Sequence, residues 1–90
     1  MYKIEFAPEA QKELLQLQKS EPIAIKKLTK LLEEMQEHPK TGTGQVELMK
    51  HCRVETWSRR ITAKHRLVYR IYEDVVEILV LSVWGHYDDK

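Results

Sequence analysis

The second half of this 90-residue chain gathers the residues best suited to chemistry on a phosphate. Glu47 stands beside Lys50 and His51, Arg60 and Arg66 flank the dipeptide Ala63–Lys64, and His86–Tyr87 lies near the chain end. A carboxylate can take a proton, and an imidazole can give one near neutral pH. Two guanidiniums can hold negative charge that develops on a reacting group. If the segments around Ala63–Lys64 form one hairpin, Arg60 and Arg66 face each other or nearly so. Like charges placed opposite one another destabilise a sheet, so this placement makes most sense around an anion. Taken singly, each residue also has an ordinary reading: a solvated glutamate, an exposed arginine on a sheet, a frayed terminal histidine.

The charge distribution supports the anion. The formal net charge is only +1, yet residues 50–70 hold seven basic side chains against one acid, while the remainder is net acidic. All five arginines fall between positions 53 and 70. Arginine forms bidentate contacts with phosphate, whereas lysine acts as a solvated point charge. A basic face for nucleic acid follows as an expectation, with a merely charged sheet face as its competitor.

Several other chemistries are excluded. Cys52 is the only cysteine, which removes a disulfide framework and any multi-cysteine zinc site; it reads as a small apolar residue. The histidines at 38, 51, 65 and 86 show no metal-ligand spacing, so no metal and no cofactor is expected. The glycines of Gly42-Thr43-Gly44 lack the Walker pattern and any following Lys-Ser/Thr. No strand–turn–helix elbow carries a nucleophilic serine. No apolar run approaches the roughly 20 residues of a membrane span. The opening Met1-Tyr2-Lys3-Ile4-Glu5-Phe6 is neither a signal nor a transit peptide. The expectation is one soluble, cytoplasmic domain over residues 1–90, with ordinary globular composition.

The elements that must position these residues follow from periodicity. Tyr2, Ile4 and Phe6 alternate as in a strand. Pro8 suits a helix start, and Ala10, Leu14 and Leu17 repeat at helical spacing, widened by Leu15, to about Lys19. Ser20-Glu21-Pro22 breaks the pattern. A second helix runs from Pro22 to Glu37 on a stripe of Ile25, Leu28, Leu32 and Met35, and the short gap implies an antiparallel helical hairpin. Residues 38–44 form a loop, with Glu47 in the connection that follows. Strands are expected over Val54–Thr62, His65–Tyr72 and Val75–Trp84, joined by Ala63–Lys64 and Glu73–Asp74. Leu67, Tyr69 and Ile71 share one sheet face; Arg66, Val68 and Arg70 share the other. Trp57, Arg59 and Ile61 oppose Ser58, Arg60 and Thr62 in the same way. The apolar run in the last strand predicts a central position buried on both faces. The fold class is α+β: an N-terminal strand and a helical hairpin on a twisted, mostly antiparallel sheet, in the order β-α-α-β-β-β.

Trp57-Ser58-Arg59-Arg60-Ile61-Thr62, Ala63-Lys64 and His65-Arg66-Leu67-Val68-Tyr69 resemble the signature of YoeB/Txe toxins, within the RelE/ParE superfamily of bacterial toxin–antitoxin systems. The resemblance runs back through Gly42-Thr43-Gly44, Glu47 and Lys50-His51, and forward to His86-Tyr87. It implies a ribosome-dependent mRNA endonuclease that works without metal or cofactor and is neutralised by a YefM-like antitoxin. By that resemblance Glu47 is the general base, His86 the general acid, and Arg60 and Arg66 stabilise the phosphorane. Tyr87 completes the catalytic set, while Lys50, His51 and Arg59 bind substrate. A homodimer is a further assembly the resemblance implies. Departures from the family pattern are Val46 and Leu48 where prolines often flank the glutamate, Glu55-Thr56 in place of a Ser-Gly turn, and the terminal Asp88-Asp89-Lys90. Two other classes share this frame: a ParE-like toxin directed at DNA gyrase, and a plain RNA-binding module.

Overall fold

The computed structural model describes residues 1–50 and 52–85. The chain begins with strand β1 (Lys3–Phe6), then helices α1 (Pro8–Ser20) and α2 (Pro22–Glu37). Strands β2 (Glu47–Leu48), β3 (Trp57–Arg60), β4 (Arg66–Tyr72) and β5 (Glu77–Ser82) complete it. Proline starts each helix, where its missing N–H would have had no intrahelical acceptor and its fixed φ suits the first turn. Glu21, non-helical at φ −142° and ψ 74°, is the single residue between them.

The strands form one sheet in the order β1-β5-β4-β3-β2. β1 runs parallel to β5, and the other three pairings are antiparallel. Both helices lie on one face. Ala10, Leu17, Ala24, Leu28, Leu31 and Met35 bury themselves against Leu67, Tyr69, Ile78, Val80 and Val83. The expected α+β layering and mostly antiparallel sheet are therefore what the chain adopts. Within α2 the buried stripe is turned from the sequence reading. Leu31 is buried in place of Leu32, and Ala24 in place of Ile25, because small Ala24 lets the helix approach closely while Ile25 and Leu32 flank the contact. Leu15 is exposed.

The strands differ from expectation at several boundaries, and β5 also ends at Ser82 rather than Trp84. Glu47 is not in a loop but in the two-residue edge strand β2, paired with Ser58. β3 starts at Trp57 rather than Val54, since the Thr56 hydroxyl turns back onto the Val54 carbonyl. The β3–β4 connection is wider than Ala63–Lys64: the amides of Ile61 and Thr62 both donate to the His65 carbonyl, closing a loop over residues 61–65. β5 starts at Glu77 because Val76 lies at φ +53° in the turn, a conformation costly for a β-branched residue. β5 is internal to the sheet, but only Ile78, Val80 and Ser82 are fully buried. Leu79 and Leu81 are half-buried because the second sheet face carries no helix.

Candidate functional site

That second face carries the basic residues. Register places Glu47 opposite Ser58, Ser58 opposite Val68, and Arg60 opposite Arg66. Directly opposed residues share a sheet face, so Glu47, Ser58, Arg60, Arg66 and Val68 lie on one surface. Arg66 is its centre. Its Nη2 donates to Ser58 Oγ at 2.9 Å and to Glu47 Oε1 at 3.3 Å, and its Nε approaches Ser58 Oγ at 3.3 Å. Ser58 is buried beneath the guanidinium, while the Glu47 carboxylate is 65% exposed. Arg60 is exposed at the directly opposed position. Two arginines of like charge thus meet across β3 and β4, and one carboxylate reaches the pair from the sheet edge. Further along the face, Arg70 Nε donates to the hydroxyl of buried Thr56 at 3.1 Å. The arrangement offers solvent a cationic patch with an accessible carboxylate at its rim.

Lys50 is exposed just beyond β2. His51, His86 and Tyr87 lie outside the described residues. Ser58 belongs to the cluster, although the sequence reading gives it no role. Its signal was a small hydroxyl two residues from Arg60 on the same strand face.

Arg59 corrects the sequence reading. It is fully buried on the helix side of the sheet, not available to substrate. Its Nε donates to Tyr69 Oη at 3.1 Å, Nη1 to Glu34 Oε1 at 2.7 Å and the Thr43 carbonyl at 3.2 Å, and Nη2 to the carbonyls of His38 and Thr41 at 2.5 and 2.8 Å. Tyr69 in turn donates to the Pro39 carbonyl at 2.7 Å. A buried charge survives only when paired and fully hydrogen-bonded, and here the 38–43 loop supplies the acceptors. Arg59 therefore fastens the segment that leads into β2 and Glu47. Hydrogen bonding from the Thr43 amide, then from its hydroxyl and Arg59, holds the Glu34 carboxyl below its ordinary value against a smaller opposing effect of burial. Burial pushes the Tyr69 phenol up, partly offset by Arg59. Gly42 is required here: at φ +117° it sits so close that a Cβ would overlap Glu34 Oε1.

Among the described residues, no group of three or more His, Cys, Asp or Glu side chains could hold a metal ion. No helix among them is long and apolar enough to cross a membrane.

A helix pair packed on one face of a five-stranded sheet is the frame shared by a class of small bacterial toxins. The solved YoeB/ParE toxin from Agrobacterium tumefaciens superposes with a TM-score of 0.87 at 28% identity, covering 94% of this chain and 99% of that one. The Staphylococcus aureus YoeB dimer superposes at 0.85 with 30% identity, covering 96% and 98%. A heterotetrameric YoeB–YefM toxin–antitoxin complex from the same organism superposes at 0.81 with 30% identity, covering 97% and 99%. In sequence, Toxin YoeB of Escherichia coli K12 is 33% identical over 85 residues, 94% of this chain and 99% of that protein. Residues 6–87 match the family model described as YoeB-like toxin of bacterial type II toxin–antitoxin system. The chain belongs to that family.

Proposed function

We propose that this toxin is an mRNA endonuclease acting on ribosome-bound message in the A site, as a single domain in the cytoplasm. The observation that carries the reading is the Arg66 guanidinium, held against Ser58 and Glu47 and opposed by Arg60 on the uncovered sheet face. A phosphodiester on this face would compete with Glu47 for Arg66 and leave the carboxylate free to act as base. Glu47 takes the proton from the ribose 2′-OH. The 2′-oxygen bonds to phosphorus, the P–O5′ bond breaks, and His86 gives its proton to the departing 5′-oxygen. Arg60 and Arg66 hold the charge gained by the non-bridging oxygens. The products are a 2′,3′-cyclic phosphate and a 5′-hydroxyl. Lys50 and His51 contact the RNA backbone, and Tyr87 stacks on a base or orients the phosphate. Arg59 has no place in this set because it is buried.

Among the solved relatives are a YoeB dimer and a YoeB–YefM complex. A YefM-like antitoxin and a second copy of this chain are accordingly the proposed protein partners. The test is purified toxin added to programmed bacterial ribosomes, read by primer extension. A cut within the A-site codon, unaffected by chelator while ribosomes stay intact, is the expected result. Intact message together with inhibited gyrase supercoiling would replace this reading with the gyrase-directed one.

A further inference from the structure

The run leading towards His86 and Tyr87 is fastened by side chains from α1 and from the β3–β4 connection. Glu13 on α1 accepts three hydrogen bonds on one oxygen: from the Ser82 hydroxyl and the Val83 amide at 2.8 Å each, and from the Trp84 amide at 3.1 Å. The next amide, Gly85, donates to His65 Nδ1 at 2.8 Å, and the Gly85 carbonyl accepts from the Arg66 amide at 3.0 Å. The Trp84 ring packs on the His65 ring at 4.4 Å between centroids. His65 is only 4% exposed, and its Nε2 meets Glu21 Oε2 at 2.5 Å, at the joint between α1 and α2. An Nδ1 that accepts from an amide carries no proton, so the ring proton lies on Nε2 and points at Glu21.

We propose that His65, with Glu13 beside it, is a positioning residue for the cleavage reaction. Glu13 fixes residues 82–84 and His65 fixes Gly85 against the Arg66 amide, so that the residues next in sequence, His86 and Tyr87, follow from one anchored backbone position. His65 touches neither substrate nor reacting atoms. This rests on the functional reading above, but the anchor itself can be measured without it.

The two ring nitrogens can be separated by substitution. Asn places Oδ1 as many bonds from the backbone as Nδ1, and so keeps an acceptor for Gly85. Gln places Nε2 where the ring has Nε2, and so keeps only the donor to Glu21. Full-length wild type, H65N and H65Q are compared by Gly85 amide hydrogen exchange and by single-turnover cleavage on programmed ribosomes. Wild type should show the Nε2–H tautomer by imidazole 15N shifts. H65Q should exchange the Gly85 amide at least about tenfold faster, a change of about 1.4 kcal/mol, while Leu67 and Tyr69 stay protected. Its maximal single-turnover rate should fall by about tenfold or more with the half-saturating ribosome concentration nearly unchanged, and H65N should recover most of that loss.

An Nδ1–H tautomer in wild type overturns the proposal even if H65Q fails to fold. So does unchanged Gly85 exchange in H65Q, or full cleavage with Gly85 released. A wild type that leaves ribosome-bound mRNA intact overturns the functional reading and the catalytic part of this one, while exchange still decides the anchor.

Discussion

Replacing Arg59 by alanine should cost far more stability than replacing its neighbour Arg60. Arg59 is fully buried and makes five hydrogen bonds, one to a carboxylate and three to loop carbonyls. Removing one partner of a buried ion pair costs about 3–5 kcal/mol, because the remaining groups stay desolvated and unpaired. Adding a value for each hydrogen bond would overshoot, since the 38–43 loop can open and hydrate its carbonyls. Exposed Arg60 should shift stability by about 0.5 kcal/mol or less. For a domain of this size, each kcal/mol moves Tm by about 4–8 °C, so Arg59→Ala should melt at least about 12 °C below wild type. Arg60→Ala should melt within about 4 °C of it. Thermal unfolding followed by far-UV circular dichroism measures both. An Arg59→Ala protein melting within about 4 °C of wild type would refute the buried-anchor account.

Three further outcomes follow from the same geometry. Gly42→Ala should destabilise by about 1–3 kcal/mol in urea unfolding, because its positive φ and the adjacent Glu34 carboxylate leave no room for a methyl group. The Glu34 carboxyl is held below its ordinary value of 4.5, so the stability it contributes is present above that pH and lost as pH falls through the lower folded value. Acid unfolding of Glu34→Gln should lack that part of the wild-type pH dependence, and an identical profile would contradict it. Ser58→Ala removes the hydroxyl that supports Arg66 and should lower ribosome-dependent cleavage by about tenfold, near 1.4 kcal/mol in the barrier, with the fold retained by circular dichroism.

Alternation and helical spacing made the layering legible. Leu67, Tyr69, Ile78 and Val80 took the core face that their period of two assigns. The opposition of Arg60 and Arg66 was legible from a hairpin centred near Ala63–Lys64, and the register has that pairing. Arg59 was not legible. Alternation puts it on one face with Trp57 and Ile61 without saying which face is the core, and its substrate role rests on the family resemblance. The Glu34 carboxylate together with the loop carbonyls of His38, Thr41 and Thr43, some 16–25 residues away, makes a buried guanidinium tolerable. His65 was hidden for a similar reason: its partners Glu21 and Gly85 are distant in sequence and meet only once the helices pack on the sheet. The strand at Glu47 is invisible in the sequence because two paired residues leave no periodic signal.

Cleavage of ribosome-bound mRNA by Arg66→Ala and Arg66→Lys tests the central claim most directly. Arg66 is partly exposed, donating to buried Ser58 and to exposed Glu47, so Arg66→Ala should fold, at a cost of about 1–3 kcal/mol in stability. Its single-turnover cleavage should fall by at least about 10², the scale for losing one transition-state donor. Arg66→Lys should recover only part of that, because lysine lacks the planar fork that spans two phosphate oxygens. A folded Arg66→Ala protein that cuts the A-site codon at the wild-type rate would contradict the account.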